Sequence, residues 1–170
     1  LLTSGVFLRR GFKVRLFKRS VPAPFVPFAV RHYKASCGIY ITGSNNPKED
    51  NGVDVYWSNG ALMLPSRTKE VEESIEKHLE PDGAGKEDPF DFESVEAKYT
   101  TSGRLIDPID EIQEKYETSI VEALFDFSMN ASCPVEAVYT PMHGVGAEFI
   151  DSIMDKAKFK PFVHVEEQKQ

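Results

Sequence analysis

Two strand-like runs separated by a rigid bend constrain the fold of this chain more than any other feature of its sequence. The apolar run 39–41 (IYI) stops abruptly at residues 42–47, which read TGSNNP. An alternating run, 53–57 (VDVYW), follows a second turn at 51–52 (NG). Glycine, asparagine and proline favour turns, so the stretch predicts strand, bend and strand, with Ser44 held on the bend.

Composition indicates a globular protein and argues against general nucleic-acid binding. The 170 residues are 41% hydrophobic and 28% charged, with a formal net charge of −7. Binding to nucleic acid requires clustered lysine and arginine, and the one basic run, 8–19, is interleaved with apolar residues. That run is typical of a solvated strand face, although a nucleic-acid patch is the alternative.

The number of cysteines and the length of the apolar runs indicate the cellular compartment that we expect for the chain. Cys37 and Cys133 are the only cysteines, which makes neither a disulfide framework nor a zinc motif. We therefore expect a reducing, cytoplasmic setting and, since no apolar run approaches the length of a membrane span, no membrane partner. The chain opens and stops in mid-pattern, without an initiator Met, so we expect a piece of a longer protein.

The periodicity of the remaining sequence predicts alternating helices and strands. The predicted elements are a helix tail over 1–10 capped by Gly11, a strand over 14–17, a helix near 27–33, a helix from the N-cap Ser66 with the stripe Val71, Ile75, His78 and Leu79, one long helix after Pro108 that reaches Phe127, a strand over 135–139, a helix spanning Phe149 to Ala157, and a last strand over 161–167. Residues 80–105 lack periodicity and crowd glycine, proline and acidic residues together, which is typical of a linker.

The bend around Ser44 has the composition of a phosphate site as well as that of a plain turn. A serine hydroxyl is a poor nucleophile without a base, and neither a Ser-His-Asp arrangement nor a GxSxG elbow is present nearby. A serine that carries a phosphate needs donors around it, which the Thr42 hydroxyl, the Asn45 and Asn46 amides and the Lys48 ammonium supply. From spacing and composition alone, the plain turn is favoured.

Several segments resemble one family. Residues 38–61, GIYITGSNNPKEDNGVDVYWSNGA, resemble the active-serine region of the α-D-phosphohexomutase superfamily, whose pattern is T-A-S-H-N-P followed by K-x-x-N-G and a short strand. Residues 9–35 resemble its first domain, closest to the phosphoglucomutase and phosphopentomutase branch. Residues 135–150, VEAVYTPMHGVGAEFI, resemble the opening of its second domain, and 163–170 resemble the entry to a further segment of that domain.

The resemblance implies a fold and a domain organisation. The fold class is α/β, with most of one three-layer α/β/α mixed-sheet domain and the start of a second similar domain. Domain I would occupy residues 1–80, a linker 81–107, and the start of domain II 108–170. The family's D-G-D-x-D-R metal loop and G-E-x-S-G sugar loop do not occur in the sequence.

The resemblance also implies roles for individual residues. Ser44 would be the catalytic phosphoserine of a phosphosugar mutase, which acts on glucose 1-phosphate or a pentose 1-phosphate through a bisphosphate intermediate. Its phosphate would help to bind Mg²⁺, and glucose 1,6-bisphosphate would be the activator. The residues implied in phosphate or substrate binding are Thr42, Asn45, Asn46, Lys48 and His143. For His143 the alternative is a histidine that simply bonds loop carbonyls.

Three departures from the family pattern lie near the serine. Gly43 replaces the family's alanine and is expected to loosen the turn, and Asn45 replaces a histidine, so it cannot carry charge. Asp54 stands where close relatives have a lysine, and its carboxylate would repel a nearby phosphate.

These departures keep two other hypotheses open: a catalytically degenerate relative that acts as a binding or regulatory protein, and an unrelated α/β domain with a coincidental turn. Without the metal and sugar loops, we expect the chain alone to show no mutase turnover. Its oligomeric state is left open.

Overall fold

Helices and short strands alternate along the chain in this computed structural model, which describes residues 2–79, 91–124 and 126–169. The elements are α1 (Leu2–Arg9), β1 (Val14–Arg15), α2 (Phe25–Tyr33), β2 (Cys37–Ile41), β3 (Val53–Trp57), α3 (Pro65–Glu76), α4 (Phe92–Thr101), β4 (Leu105–Ile106), α5 (Ile109–Leu124), α6 (Phe127–Ser132), β5 (Val138–Tyr139), α7 (Gly146–Lys156), β6 (Val163–His164) and a 3-10 helix (Glu166–Gln168). Strands β1 and β4 pair in parallel, as do β5 and β6, whereas β2 and β3 pair antiparallel. The chain is therefore α/β, which confirms the predicted fold class.

The described residues form two compact units, and the first takes its residues from 1–18 and 62–108. Its core is a cluster of Leu8, Tyr99 and Leu105, which come from α1, α4 and β4. Gly11 follows α1 with φ 95°, a left-handed conformation that favours glycine. Burial of these apolar side chains is what holds α1 and α4 on the β1–β4 pair.

The second unit comprises residues 19–61 and 109–169 and contains the predicted strand–bend–strand. Helix α2 packs closely on the β2–β3 hairpin, because a Cβ at Gly38 would lie only 2.6 Å from a Val30 methyl. Phe25 of α2 is buried and contacts the rings of Tyr116 on α5 and Phe149 on α7. This aromatic contact joins the helices of the unit into one core.

Most predicted elements are confirmed, with shifted ends, and three predictions are wrong. Helix α3 starts at Pro65 with Leu64 as its N-cap, so Ser66 lies inside the first turn. That helix ends at Glu76, so His78 and Leu79 of the predicted stripe lie beyond it, and Ile75 within it is 57% accessible. The long helix after Pro108 is two helices, α5 and α6, and Asp126 caps the second through the N–H groups of residues 128 and 129.

The segment predicted to be a linker also contains regular structure. Helix α4 and strand β4 lie within it, and Asp91 caps α4 by accepting a hydrogen bond from the Ser94 N–H at 3.1 Å. Residues 81–90 of that segment lie outside the described residues. The domain boundaries at 80 and 108 stay predictions.

None of the helices in the described residues combines the length and the apolar character needed to cross a membrane.

Candidate functional site

Ser44 lies in the loop that joins β2 to β3. The two strands pair over their full length, from Cys37 opposite Trp57 to Ile41 opposite Val53. The pairing extends by one further hydrogen bond, since the Thr42 N–H donates to the Gly52 carbonyl at 3.0 Å. Ser44 therefore stands directly beyond the carboxyl end of β2, an edge at which open α/β sheets commonly bind ligands.

Two glycines let the backbone of this loop close on itself. A Cβ at Gly43 would lie 2.7 Å from the Asp50 carbonyl oxygen, and one at Gly52 would lie 2.7 Å from the Thr42 carbonyl oxygen. Both separations are too short for a real side chain. The structure thus gives Gly43 a different role from the expected loosening of the turn, because the absence of its side chain allows a close backbone approach.

Ser44 itself has a left-handed backbone, with φ 52°. Residues other than glycine adopt this conformation at a cost, and here the Ser44 N–H donates to Thr42 Oγ1 at 2.9 Å. The turn is completed by the Asn46 N–H, which donates to the Gly43 carbonyl at 3.0 Å. The Ser44 side chain is exposed, and its hydroxyl donates to Asn45 Oδ1 at 3.3 Å.

The predicted phosphate donors differ in whether they contact Ser44. Thr42 acts on the Ser44 backbone through its oxygen, and Asn45 contacts the Ser44 hydroxyl. Asn46 is exposed in the same turn. The Lys48 side chain is 92% accessible and its Nζ lies 3.9 Å from Glu49 Oε1, so this lysine is solvated.

Asp54 lies on the hairpin beside two tyrosines. It is opposite Tyr40 in the register of β2 and β3, and the Tyr40 hydroxyl donates to the Val21 carbonyl at 3.0 Å. Burial raises the pKa of Tyr56, and the charge of Asp54 raises it further. The Asp54 carboxylate therefore acts on Tyr56 of the hairpin, and its repulsion of a phosphate on Ser44 stays a prediction.

His143 lies in a second loop, residues 140–145, between β5 and α7. Met142 and His143 both have left-handed backbones, with φ 49° and 63°. The His143 N–H donates to the Gln168 carbonyl at 2.8 Å, and the Thr140 hydroxyl donates to Gln168 Oε1 at 2.7 Å. His143 is exposed, and its loop belongs to a different strand pair from the Ser44 loop.

The two loops share one backbone arrangement, which was not predicted from the sequence. In each, a threonine directly after a strand accepts a hydrogen bond from the N–H two residues later: Ser44 to Thr42 at 2.9 Å, and Met142 to Thr140 at 3.0 Å. In each, the carbonyl of the residue after the threonine accepts a hydrogen bond from the N–H three residues further on. The signal in the sequence is a threonine at the end of each predicted strand, Thr42 and Thr140, whose side chain can form such a local turn.

A magnesium site is not formed by the described residues alone. Among residues 2–79, 91–124 and 126–169, no three histidine, cysteine, aspartate or glutamate side chains are grouped closely enough to hold a metal ion. A phosphate on Ser44 would be one oxygen ligand, whereas Mg²⁺ takes six in near-octahedral geometry.

Comparisons with known proteins place both loops in a wider context. A family model described as phosphoglucomutase/phosphomannomutase, alpha/beta/alpha domain I, matches residues 2–82. Over nearly the whole chain, the sequence is 37% identical to human glucose 1,6-bisphosphate synthase and 36% identical to human phosphopentomutase, with 99% of the chain covered in each case. A phosphoribomutase from Saccharomyces cerevisiae is 36% identical over 91% of the chain.

The chain spans 26% of the length of those human relatives. A crystal structure described as that of a putative phosphomannomutase from Thermus thermophilus matches 94% of the chain and 32% of its own length, with a TM-score of 0.67 and 24% identity. At that identity the structural match supports the fold alone.

Proposed function

Because the chain belongs to the α-D-phosphohexomutase superfamily, we propose that it is part of a phosphosugar mutase. The reaction would be intramolecular phosphotransfer on glucose 1-phosphate or a pentose 1-phosphate, through a phosphate carried by Ser44. The relatives named phosphopentomutase and phosphoribomutase support the choice of substrate class.

The conformation of Ser44 is the observation that carries this proposal. The backbone at φ 52° is one that glycine or asparagine adopts at lower cost, and here it holds a serine hydroxyl, whereas the matching position of the 140–145 loop holds Met142. The left-handed backbone coincides with an exposed side chain at the carboxyl end of β2. Strain at an exposed nucleophile is typical of functional positions.

The proposed half-reaction moves one phosphoryl group. The ester bond between phosphorus and a hydroxyl oxygen of glucose 1,6-bisphosphate breaks, and a bond between phosphorus and Ser44 Oγ forms. The Ser44 hydroxyl loses its proton, and the departing sugar hydroxyl gains one, so the products are phosphoserine and a glucose monophosphate. Asn45 accepts a hydrogen bond from the Ser44 hydroxyl, but an amide does not take up the proton, so the loop contact orients the nucleophile without acting as its base.

The neighbouring groups would then bind the phosphate. The amide groups of Asn45 and Asn46 are exposed beside Ser44 and are suited to donate to phosphate oxygens. Lys48 is solvated in the free loop and would turn towards a dianion on Ser44, since a hydrogen bond to a doubly charged phosphate is stronger than its present 3.9 Å contact with the Glu49 carboxylate. We assign no step to Mg²⁺, for which Ser44 phosphate would be a single ligand.

Incorporation of radiolabelled phosphate from glucose 1,6-bisphosphate tests the proposal. We expect the chain and the variant Ser66→Ala, which lacks another exposed serine, to incorporate phosphate, and Ser44→Ala to incorporate none. Because the described residues form no metal site, we expect this labelling without sustained turnover of glucose 1-phosphate.

The other outcomes separate the alternatives. A folded chain that never incorporates label would contradict the proposal and favour a non-enzymatic binding or regulatory relative, for which the neutral Asn45 is the specific support. Labelling that persists in Ser44→Ala would place the phosphate on another residue and would also contradict the proposal.

A further inference from the structure

A concave site lies at the end of the β2–β3 hairpin remote from Ser44. It has a volume of about 410 Å³ and is lined by Arg31, Lys34, Ala35, Ser58 and Asn59. The register pairs Cys37 with Trp57 at this end and Ile41 with Val53 at the Ser44 end. Since a strand rises about 3.4 Å per residue, the hairpin separates this concavity from the Ser44 loop by roughly 14 Å or more.

Four of the five residues that line the concavity have hydrogen-bond donors in their side chains, and two of those four are positively charged. Arg31 and Lys34 are cationic, the Ser58 hydroxyl donates, and none of the five lining residues is acidic. Asn59 Oδ1 already accepts a hydrogen bond from the Ala61 N–H at 2.9 Å, which leaves its NH₂ group as the donor. In a chain of net charge −7, such a cluster selects an anion.

The turn that carries two of these groups is firmly built. The Gly60 N–H donates to the Trp57 carbonyl and the Trp57 N–H donates to the Ala61 carbonyl, both at 2.8 Å. Gly60 has φ 79°, and a Cβ there would lie 3.0 Å from Arg31 Cγ and Cδ. The aliphatic stem of Arg31 therefore rests on the turn, which restrains the guanidinium beside Ser58 and Asn59 and lowers the entropy lost on binding.

Basic residues near a helix C-terminus often serve only to cap it, but the end of α2 is capped by backbone groups. The Lys34 N–H donates to the carbonyls of Val30 and Arg31, and the Ala35 N–H also donates to the Val30 carbonyl. Lys34 adopts φ 52° at a position where glycine is the usual residue. The charged ends of Arg31 and Lys34 are thus not needed to cap those two carbonyls.

We propose that this concavity binds the phosphate dianion of a small phosphorylated ligand. Arg31 offers a two-pronged contact to phosphate oxygens, Lys34 offers a point charge, and Ser58 and Asn59 offer neutral donors. The volume of the concavity falls within the range of small-molecule sites. The site does not depend on the proposed chemistry at Ser44.

The single tryptophan of the chain makes the proposal directly measurable. Trp57 precedes Ser58 and is 47% accessible, so its emission reports on this end of the hairpin. Inorganic phosphate and glucose 1-phosphate are titrated separately against the 170-residue chain, with chloride at matched ionic strength as the reference and calorimetry as a second readout. Circular dichroism verifies that each variant is folded.

Variants assign the binding to the concavity. Arg31→Met with Lys34→Met keeps the aliphatic stems and removes both charges, and Lys77→Met removes a comparable charge from the C-cap of α3. We expect saturable binding by the chain, by Ser44→Ala and by Lys77→Met, and binding at least about tenfold weaker in the double variant, because charge-assisted contacts are lost.

Binding that is absent, not saturable, or unchanged in the double variant would overturn the proposal. Binding that is lost in Ser44→Ala and kept in the double variant would also overturn it, because the anion would then belong to the Ser44 loop. A chain that binds phosphate here yet incorporates no label at Ser44 would contradict only the proposed function.

Discussion

The loops at 42–47 and 140–145 share a backbone design but differ in what they present and in what holds them. Each begins with a threonine that accepts the N–H of a left-handed residue two positions on. That residue is Ser44 in the first loop and Met142 in the second. The first loop presents a hydroxyl, whereas the second presents a 74% accessible thioether followed by a histidine.

The difference in anchoring is equally clear. The first loop is closed largely by its own backbone, through Thr42 and Gly52. The second is bonded to Gln168 at two points and leads into α7, whose Phe149 is buried. The same local turn thus carries the proposed phosphate-accepting serine in the first loop and a structurally fixed position in the second. We infer that this turn determines where a side chain is presented. The chemistry available there depends on which residue occupies the left-handed position.

Removal of Lys156 tests the anchoring of the second loop and has the largest expected effect. Glu117 on α5 is only 1% accessible and contacts Lys156 Nζ of α7 at 2.7 Å, with Ser152 and Gln113 donating at 2.7 and 2.8 Å. Lys156→Met leaves this carboxylate without its cation, so we expect the free energy of unfolding to fall by about 1.5–3 kcal/mol. Urea denaturation of the parent chain and the variant measures this change in the free energy of unfolding.

Lys160→Met is the matched control, because Lys160 is exposed just beyond α7. We expect this variant to unfold at the same urea concentration as the parent chain. Equal stability of both variants would show that the buried pair does not anchor the helix behind the second loop.

A matched pair of threonine variants tests the shared turn. Thr42→Val and Thr140→Val each remove the oxygen that accepts the N–H two residues on, and Thr140→Val also removes the hydroxyl that donates to Gln168 Oε1. We expect a cost in stability of about 1 kcal/mol for Thr42→Val and about 2 kcal/mol for Thr140→Val. Because the Ser44 backbone loses its partner only in the first variant, we expect phosphate incorporation to fall several-fold in Thr42→Val alone. An equal fall in both, or in neither, would remove the distinction between a reactive loop and a structural one.

The contacts between α2 and Glu111 of α5 should make thermal stability depend on pH, and this is the smallest expected effect. A hydrogen bond from the Tyr33 hydroxyl at 2.7 Å, and then the contact with the His32 ring at 2.9 Å, hold the pKa of Glu111 below its ordinary value of 4.5. A lowered carboxyl pKa stabilises the fold above the unfolded value, and the contribution is lost as pH falls through the folded value. Between about pH 5 and pH 3, we expect the chain to lose slightly more thermal stability than Glu111→Gln, which has no charge to titrate.

Glu111 lies in the same unit as both loops, so these thermal melts report on the stability of the part of the chain that carries them. An identical acid response in the two proteins would contradict the assigned role of Glu111.

The fold was predictable where alternation or helical periodicity coincided with turn residues. Strand β3 has the predicted limits, Val53–Trp57, because its pattern is bounded by Asn51-Gly52 and Ser58. Helix α3 shows the limit of the same reasoning, since its sequence has an apolar stripe but Ile75 on that stripe is exposed and the helix ends before Leu79. Periodicity predicts the helix and its face, whereas burial depends on what packs against that face.

The candidate site was predictable in its residues but not in its geometry. The motif around Ser44 resembles that of a known family, but the left-handed backbone and the Thr42 contact depend on φ and on local hydrogen bonds. The close approach at Gly43 depends on Asp50, seven positions on. The concavity at the other end brings Arg31 to Ser58 through the packing of α2 on the hairpin, a contact distant in sequence that no local pattern contains.

Tandem mass spectrometry of the chain after incubation with glucose 1,6-bisphosphate tests the central claim most directly, because it gives both the amount and the position of phosphate. We expect close to one phosphate per folded chain, located on Ser44 and absent from the serines and threonines of the second unit's other loops. Phosphate on a different residue, or a folded chain without any, would contradict it.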